Sequence, residues 1–410
     1  MKKKLLVVLA TALIINACSK NKSGTGDTDP VITDTTGVEK NPPNTTYKPA
    51  FTGQTRIGGV TTTTPWEGKI LTSNLVSPWG IAALPDGRFL ITEKTGNIRV
   101  VDAQGNISAA LTNAPTDVKT DGQAGVLGIT IDPQFNSNRM IYWIYSRETD
   151  DGNVPALTKA RLSNDYTSLE NVTVIYEARP AHGGNAHYGG RVKIDAEGHV
   201  FMSVGERSDI ATRPLAQSLT AAIGKVLRLT RDGAAAAGNP FAGRSDALPE
   251  IYSYGHRNPQ GLALSTVDGH IWEAEMGPRG GDEINYIEAG HNYGWPTIGY
   301  GIEYSGEPVG QGITQQSGMD QPVYYWDPVV SPSGVTFYNG SDMAEWKDNL
   351  FLACLSGKQI TRLILRNNKV VGEERLLASE DQRFRDITQG ADGALYAVTD
   401  GGRLYRIGKK

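Results

Sequence analysis

The chain has 410 residues, with 40 Lys and Arg against 44 Asp and Glu, a formal charge of −4, 48 Gly, 21 Pro and two Cys. This mildly acidic balance argues against a nucleic-acid partner, which favours clustered positive charge. The two cysteines, Cys18 and Cys354, are too few for a disulfide framework or a Cys-rich zinc centre.

The chain opens with Lys2-Lys-Lys4, an apolar run from Leu5 to Ala17, and Cys18. Residues 1–17 read as a secretory signal, since a spanning helix needs about 20 apolar residues. Ile15-Asn-Ala-Cys18 resembles the bacterial lipoprotein box, in which the cysteine is lipidated and becomes the first residue. The expectation is a protein of the bacterial cell envelope, facing the periplasm or on the outer membrane, held by lipid on Cys18. A cleaved signal without lipid is the plainer alternative. Residues 18–55 are rich in Thr, Pro, Gly, Asp and Asn and are expected to form a flexible tether. The folded domain is then expected over 56–410, with Cys354 a core thiol in the apolar run Leu350–Leu355.

That domain contains a degenerate repeat. Gly80-Ile-Ala-Ala-Leu-Pro-Asp-Gly-Arg-Phe-Leu-Ile-Thr92 is an apolar strand, an Asp-Gly turn and a second apolar strand. Related units begin at Gly190, Gly261 and Asp386, and looser ones at Val126 and Gly334, making six. Asp-Gly between alternating runs is a hairpin signal. The pattern predicts an all-β chain, a six-bladed β-propeller of four-stranded antiparallel blades. Gly68–Leu75 is placed to complete the last blade and close the ring. A large β-sandwich would not require the recurring spacing. Long loops between strands would gather at one mouth of the channel.

Polar loop residues precede most of these units. Gln123 stands in Asp121-Gly-Gln-Ala-Gly125 before the second, and His182 and His187 precede the third. Either histidine suits a general base, having a pKa near neutrality. The fourth unit carries the richest set: Tyr254-Gly-His-Arg-Asn-Pro-Gln-Gly261, Glu275-Met-Gly-Pro-Arg-Gly-Gly-Asp-Glu-Ile-Asn285 and His291-Asn-Tyr-Gly-Trp-Pro296. Tight turns there expose carbonyls beside carboxylates, a donor set suited to calcium. The adjacent Arg257-Asn258 pair suits an anionic or quinone-like ligand. Trp326, before the fifth unit, is either an aromatic wall of the pocket or a structural tryptophan. Arg383 and Arg385, before the sixth, share one face of an extended segment and suit carboxylates or phosphate. There is no phosphate loop, His-x-x-x-His pattern or Gly-x-Ser-x-Gly elbow.

From Pro78 to Ile407 these motifs together resemble the soluble glucose dehydrogenase and aldose sugar dehydrogenase family, propellers that use pyrroloquinoline quinone (PQQ) and calcium. The carrying segments include Pro78-Trp-Gly80, Gly122–Gly128, His187-Tyr-Gly-Gly-Arg191, Gly255–Gly261, Asp282-Glu-Ile-Asn285, Asn292–Pro296 and Arg383–Asp386. The resemblance implies oxidation of an aldose at C1 to the lactone, with electrons passed to a quinone or a small redox protein. It makes His187 the base and Arg257 the cation beside the quinone oxygen. Asn258 and Gln123 become polar contacts, and Arg383 and Arg385 the clamp on the PQQ carboxylates. Gly277 and Pro278 become carbonyl ligands of the cofactor's calcium, Glu283 and Tyr293 a separate structural calcium site, and Asp282 an acidic position near the cofactor. The family's fifth-blade lysine falls on Ser356 here, with Lys358 two residues on and on the same face if that strand is regular. Trp326 and Lys358 complete the expected cofactor set. A non-catalytic carbohydrate-binding propeller is the alternative, and a calcium-dependent lactonase the third.

Overall fold

Six antiparallel sheets form where the sequence repeats, in a computed structural model that describes residues 32–410. The signal, Cys18 and tether residues 18–31 lie outside the described residues. Blade one holds Pro78–Ala83, Phe89–Glu93 and Asn97–Val101. Blade two holds Val126–Ile131, Met140–Thr149, Gly152–Leu162 and Leu169–Glu177. Blade three holds Val192–Ile194, Val200–Val204, Lys225–Leu229 and Ile251–Tyr254, and blade four Pro259–Leu264, Ile271–Glu275, Asp282–Tyr286 and Tyr324–Trp326. Blade five holds Pro332–Phe337, Leu350–Cys354, Gln359–Arg366 and Lys369–Leu376. Blade six holds Phe384–Gln389, Leu395–Thr399 and Leu404–Lys409, with Trp66–Thr72 paired antiparallel to Leu404–Lys409 as its outer strand.

The first strand of each blade contacts the first strand of the next, and blade six returns to blade one. The six-bladed propeller and its closure by the N-terminal strand therefore stand as expected. Blade one departs by having three regular strands. Its fourth position is filled irregularly, Ser108 N–H donating to the Val100 carbonyl and Leu111 N–H to that of Ile98, both at 2.9 Å. The glycine that opens most repeats has a steric cause. Inner strands converge on the axis, so a Cβ on Gly128 would lie 2.5 Å from the Gly190 carbonyl oxygen, and one on Gly334 1.8 Å from Asp386 Oδ1. Apolar residues pack between successive blades, and Cys354 is buried between blades four and five.

Residues 32–55 correct the expectation of a tether across that part of the chain. They form no regular strand but lie against blades four and five. Asn44 and Thr45 surround the Asp327 carboxylate with four donors at 2.8 to 2.9 Å. Gln54 is fully buried and donates to the Pro322 carbonyl at 2.9 Å, while Glu39 pairs with Arg375 at 2.9 Å. Short polar side chains make no core of their own, yet they satisfy buried polar groups of the propeller. No helix among the described residues is long and apolar enough to cross a membrane.

Candidate active site

Each inner strand leads away from one mouth of the channel, and the antiparallel second strand leads back to it. Loops before the inner strands and loops after the second strands therefore meet at that mouth. In five blades the two are joined directly. Lys94 N–H donates to the Ser77 carbonyl in blade one, and His187 meets Glu206 in blade three. Arg257 meets Met276 and Gly277 in blade four, Ser331 meets Ser356 in blade five, and Arg383 and Arg385 meet Asp400 in blade six.

His187 is 6% exposed and has φ +46°, a left-handed conformation rare outside glycine and often found at functional positions. Its Nδ1 lies 2.5 Å from Glu206 Oε1, and its backbone N–H donates to Gln123 Oε1 at 2.9 Å. A carboxylate only accepts, so Nδ1 carries the proton and Nε2 the lone pair. Burial, and then the nearby Arg257 charge, hold the imidazole below its usual pKa, against the opposing pull of Glu206. Asn258 is buried next to it and accepts from Gly189 N–H at 3.1 Å.

Arg257 donates through Nη1 to the Met276 and Gly277 carbonyls, both at 2.7 Å, and its guanidinium lies 5.3 Å from the Trp295 ring centre. Gly277 is thus a carbonyl already facing a cation. The Gly277–Gly281 turn folds back so tightly that a Cβ on Gly277 would lie 2.3 Å from the Gly280 oxygen. Asp282 fastens this turn, accepting from Gly277 N–H at 2.9 Å, Val330 N–H at 2.7 Å and Ser331 N–H at 2.6 Å. Burial pushes its carboxyl up to about 7, against those three donors.

A narrow cavity lined by Arg257, Gly277, Pro278, Glu275, Glu283 and Tyr293 joins this turn to a buried acidic cluster. Ligand atoms of His256, Glu273 and Glu275 lie within 4.8 Å of one another. Glu283 is opposite Glu275 in the strand pairing, and Asn285 opposite Glu273. Burial and the charge of Glu275 hold the Glu273 and Glu283 carboxyls well above the usual range. Glu273 Oε1 and Asn285 Oδ1 are buried without a partner. Oxygen donors in this state fit a hard divalent cation. The Tyr293 hydroxyl is committed elsewhere, donating to the Tyr286 carbonyl at 2.6 Å and accepting from Glu288 N–H at 2.8 Å, while its ring stacks on His256.

Arg383 and Arg385 both reach Asp400, their Nε atoms 3.0 and 2.8 Å from its carboxylate. Burial raises the Asp400 carboxyl, but the two guanidiniums outweigh it and hold it low. Lys94 adds positive charge at this mouth. Burial, with Arg385 next, lowers its pKa, and its ammonium donates to the Gly122 carbonyl at 2.5 Å. Two arginines and a lysine against one carboxylate fit a polycarboxylate ligand.

Two sequence expectations are corrected. Trp326 is 2% exposed on the outer strand of blade four and donates toward Glu373 at 3.3 Å, so it is a core residue and not an aromatic wall. Ser356 and Lys358 lie in the turn between Leu350–Cys354 and Gln359–Arg366, so the shared strand face does not exist. Lys358 has φ +52° and pairs with Asp381 at the rim at 2.7 Å. His182, the other candidate base, lies 3.4 Å from Asp209. Sequence reading missed Glu206, Asp400, Lys94 and Tyr304, whose exposed ring brings its hydroxyl 3.5 Å from Arg257 Nη2. Lys94 and Asp400 occupy the same place after the Asp86-Gly87 and Asp392-Gly393 turns, so aligning those units would have found these two.

A family model described as Glucose / Sorbosone dehydrogenase matches residues 75–406. The chain is 38% identical over 344 residues to aldose sugar dehydrogenase YliI of Escherichia coli, covering 83% of this chain and 92% of that one. The solved structure of the soluble aldose sugar dehydrogenase from Escherichia coli, in its apo form, aligns with a TM-score of 0.80 at 36% identity, covering 84% of this chain and 100% of the other. The PQQ-bound form of aldose sugar dehydrogenase from Streptomyces coelicolor aligns with a TM-score of 0.69 at 28% identity, over 85% and 99%.

Proposed function

The chain belongs to the glucose/sorbosone dehydrogenase family, and we propose that it oxidises the C1 hydroxyl of an aldose to the lactone with PQQ and calcium. The observation that carries this reading is the buried His187–Glu206 pair, held at 2.5 Å in the same mouth as Arg257 and the Arg383/Arg385 pair. The Gly277 and Pro278 carbonyls would hold calcium, which would supply Lewis acidity, and a bound quinone would supply a two-electron acceptor.

The protein's own residues do the rest. Glu206 fixes the tautomer, so that His187 Nε2 takes the proton of the C1 hydroxyl as the hydride departs. The lowered imidazole pKa keeps that lone pair free below the usual histidine range. Gln123 holds the His187 backbone. Arg257 fixes positive charge where negative charge develops on the acceptor, with Asn258 buried beside it. Arg383 and Arg385 would hold the cofactor carboxylates, and the exposed Tyr304 ring would offer an apolar face to the sugar. Glu283, with Glu275 and Glu273, would hold a second calcium. A binding propeller without catalysis would leave the His187–Glu206 pair without a task.

A quinone or a small redox protein would take the electrons onward. The lipid on Cys18 holds the enzyme in the bacterial envelope, facing the periplasm or at the outer membrane. Cys18→Ala is expected to move the protein from the membrane fraction to the soluble fraction, and unchanged fractionation would remove the anchor.

The test of activity is a titration of the purified apo-protein with PQQ in calcium buffer, followed by a panel of aldoses with a dye acceptor. Stoichiometric binding with sugar-dependent dye reduction is expected. Folded, calcium-loaded protein that fails to bind micromolar PQQ would overturn the reading.

A further inference from the structure

The axial channel carries charge that the proposed reaction does not use. Arg191 and Lys193 are two residues apart at the innermost strand of blade three, which puts them on one side of it. Arg191 Nη1 donates to Asp386 Oδ2 at 2.6 Å and Nε to the Gln260 carbonyl at 2.8 Å. Its Nη2 is buried with no partner. Asp386 is already committed, since Oδ2 also accepts from Ile81 N–H and Oδ1 from Ile387 N–H, both at 2.9 Å. The Lys193 ammonium makes no hydrogen bond or ion pair among the described residues, although the residue is half-buried and feels the charges of Asp386 and Arg191. Two cations therefore share one committed carboxylate.

Beyond this layer, at the mouth opposite the catalytic loops, a cavity of about 360 Å³ is lined by Lys193, Leu264, Thr336, Asn339, Thr388 and Gln389, among others, with no Asp or Glu in its wall. The Thr388 hydroxyl and the Asn339 amide group have no partner among the described residues. Arg191, Asp386 and Gln260 are all buried and lie between this cavity and the catalytic mouth, which makes it a separate compartment. A partly desolvated ammonium without an acceptor favours an anion, and neighbouring hydroxyl and amide donors favour one rich in oxygen.

We infer that this far mouth is a second ligand site for a small oxyanion, a carboxylate or phosphate, with Lys193 as its charge partner. The carboxylate of a sugar acid and inorganic phosphate share the required chemistry, so the test separates them.

The intact apo-protein is treated with an amine-acylating reagent, alone or with inorganic phosphate or gluconate, and labelling is read for each lysine by mass spectrometry. At least one anion should slow labelling of Lys193 about fivefold or more, as near-saturation of a millimolar site would. Lys69, exposed on the outer strand of blade six, should label unchanged. Protection by gluconate alone assigns a sugar acid, and protection by phosphate alone or by both assigns a general oxyanion site. An unchanged Lys193 rate with both anions, or an equal fall at Lys69, overturns the inference. As a second readout, heat from titrating the protecting anion should vanish in Lys193→Met and persist in Arg383→Ala. The reverse pattern would place anion binding in the catalytic mouth and also overturn it. Neither measurement needs PQQ or turnover, so the outcome is independent of the proposed activity.

Discussion

His187 can act as a base only if one ring nitrogen is left free and stays unprotonated. Glu206, by engaging Nδ1, secures the first condition, while burial and Arg257 secure the second. These influences separate on mutation. Glu206 raises the imidazole pKa, so Glu206→Gln lowers it further, and the acid limb of the kcat/KM profile should move to lower pH. An acid limb moving upward would contradict the assignment. The amide oxygen can still accept from Nδ1, but it no longer stabilises the imidazolium, so kcat should fall about 10- to 100-fold. His187→Ala should keep PQQ binding and lose about 10²- to 10⁴-fold in turnover, and near-normal oxidation by this variant would remove His187 as the base. Arg383→Ala should weaken PQQ reconstitution without changing the pH profile, because Arg385 still holds Asp400.

The loops that carry these residues show how far the sequence could be read. The Asp-Gly hairpins and opening glycines revealed the blades because both features are local and recur. The closing strand, expected over Gly68–Leu75, was found over Trp66–Thr72. Glu206 and Asp400 were not, because each acquires meaning only when a second strand returns to the mouth beside a histidine or an arginine pair. Trp326 misled because proximity in sequence to a mouth loop does not tell an outer strand from an inner one. Residues 32–55 misled because their partners are remote, Asn44 meeting Asp327 across 283 positions. The Gly277–Gly281 turn depends on similar long-range support. Asp282 ties it to the start of blade five, and Asn44 accepts from Arg279 at 3.2 Å. Asp282→Ala would leave three backbone donors unsatisfied, a loss of about 3 kcal/mol or more. The variant should unfold at lower denaturant and need more calcium to reconstitute with PQQ, and a calcium requirement like that of the parent would separate Asp282 from the turn.

Across the whole ring, the seam between blades three and four is the exception. Trp272, Ala274 and Ile284 of blade four pack into the core shared with blade five. Residues of opposite parity face blade three, where Ile271 and Ile287 continue the apolar seam with Phe201, Val226, Leu262 and Tyr293. Higher on that face the apolar residues give way to Glu273, Glu275, Glu283 and Asn285, buried with His256. Like charges in so confined a space repel, and dispersion between the blades cannot offset this where there is no hydrocarbon. A bound divalent cation would turn the repulsion into cohesion between two blades, stabilising the closed ring through a site remote from the sugar. Ligation of this kind adds about 2.7 kcal/mol at 100 times Kd, which for a domain of this size corresponds to roughly 3 to 4 °C in Tm. Chelating calcium from the apo-protein, with no PQQ present, should therefore lower Tm by about that amount, and restoring calcium should reverse it. Glu273→Gln with Glu275→Gln should blunt this response by removing both the repulsion and two of the ligands. Identical melting curves with chelator and with excess calcium would mean that the seam is held by protonated carboxyls alone.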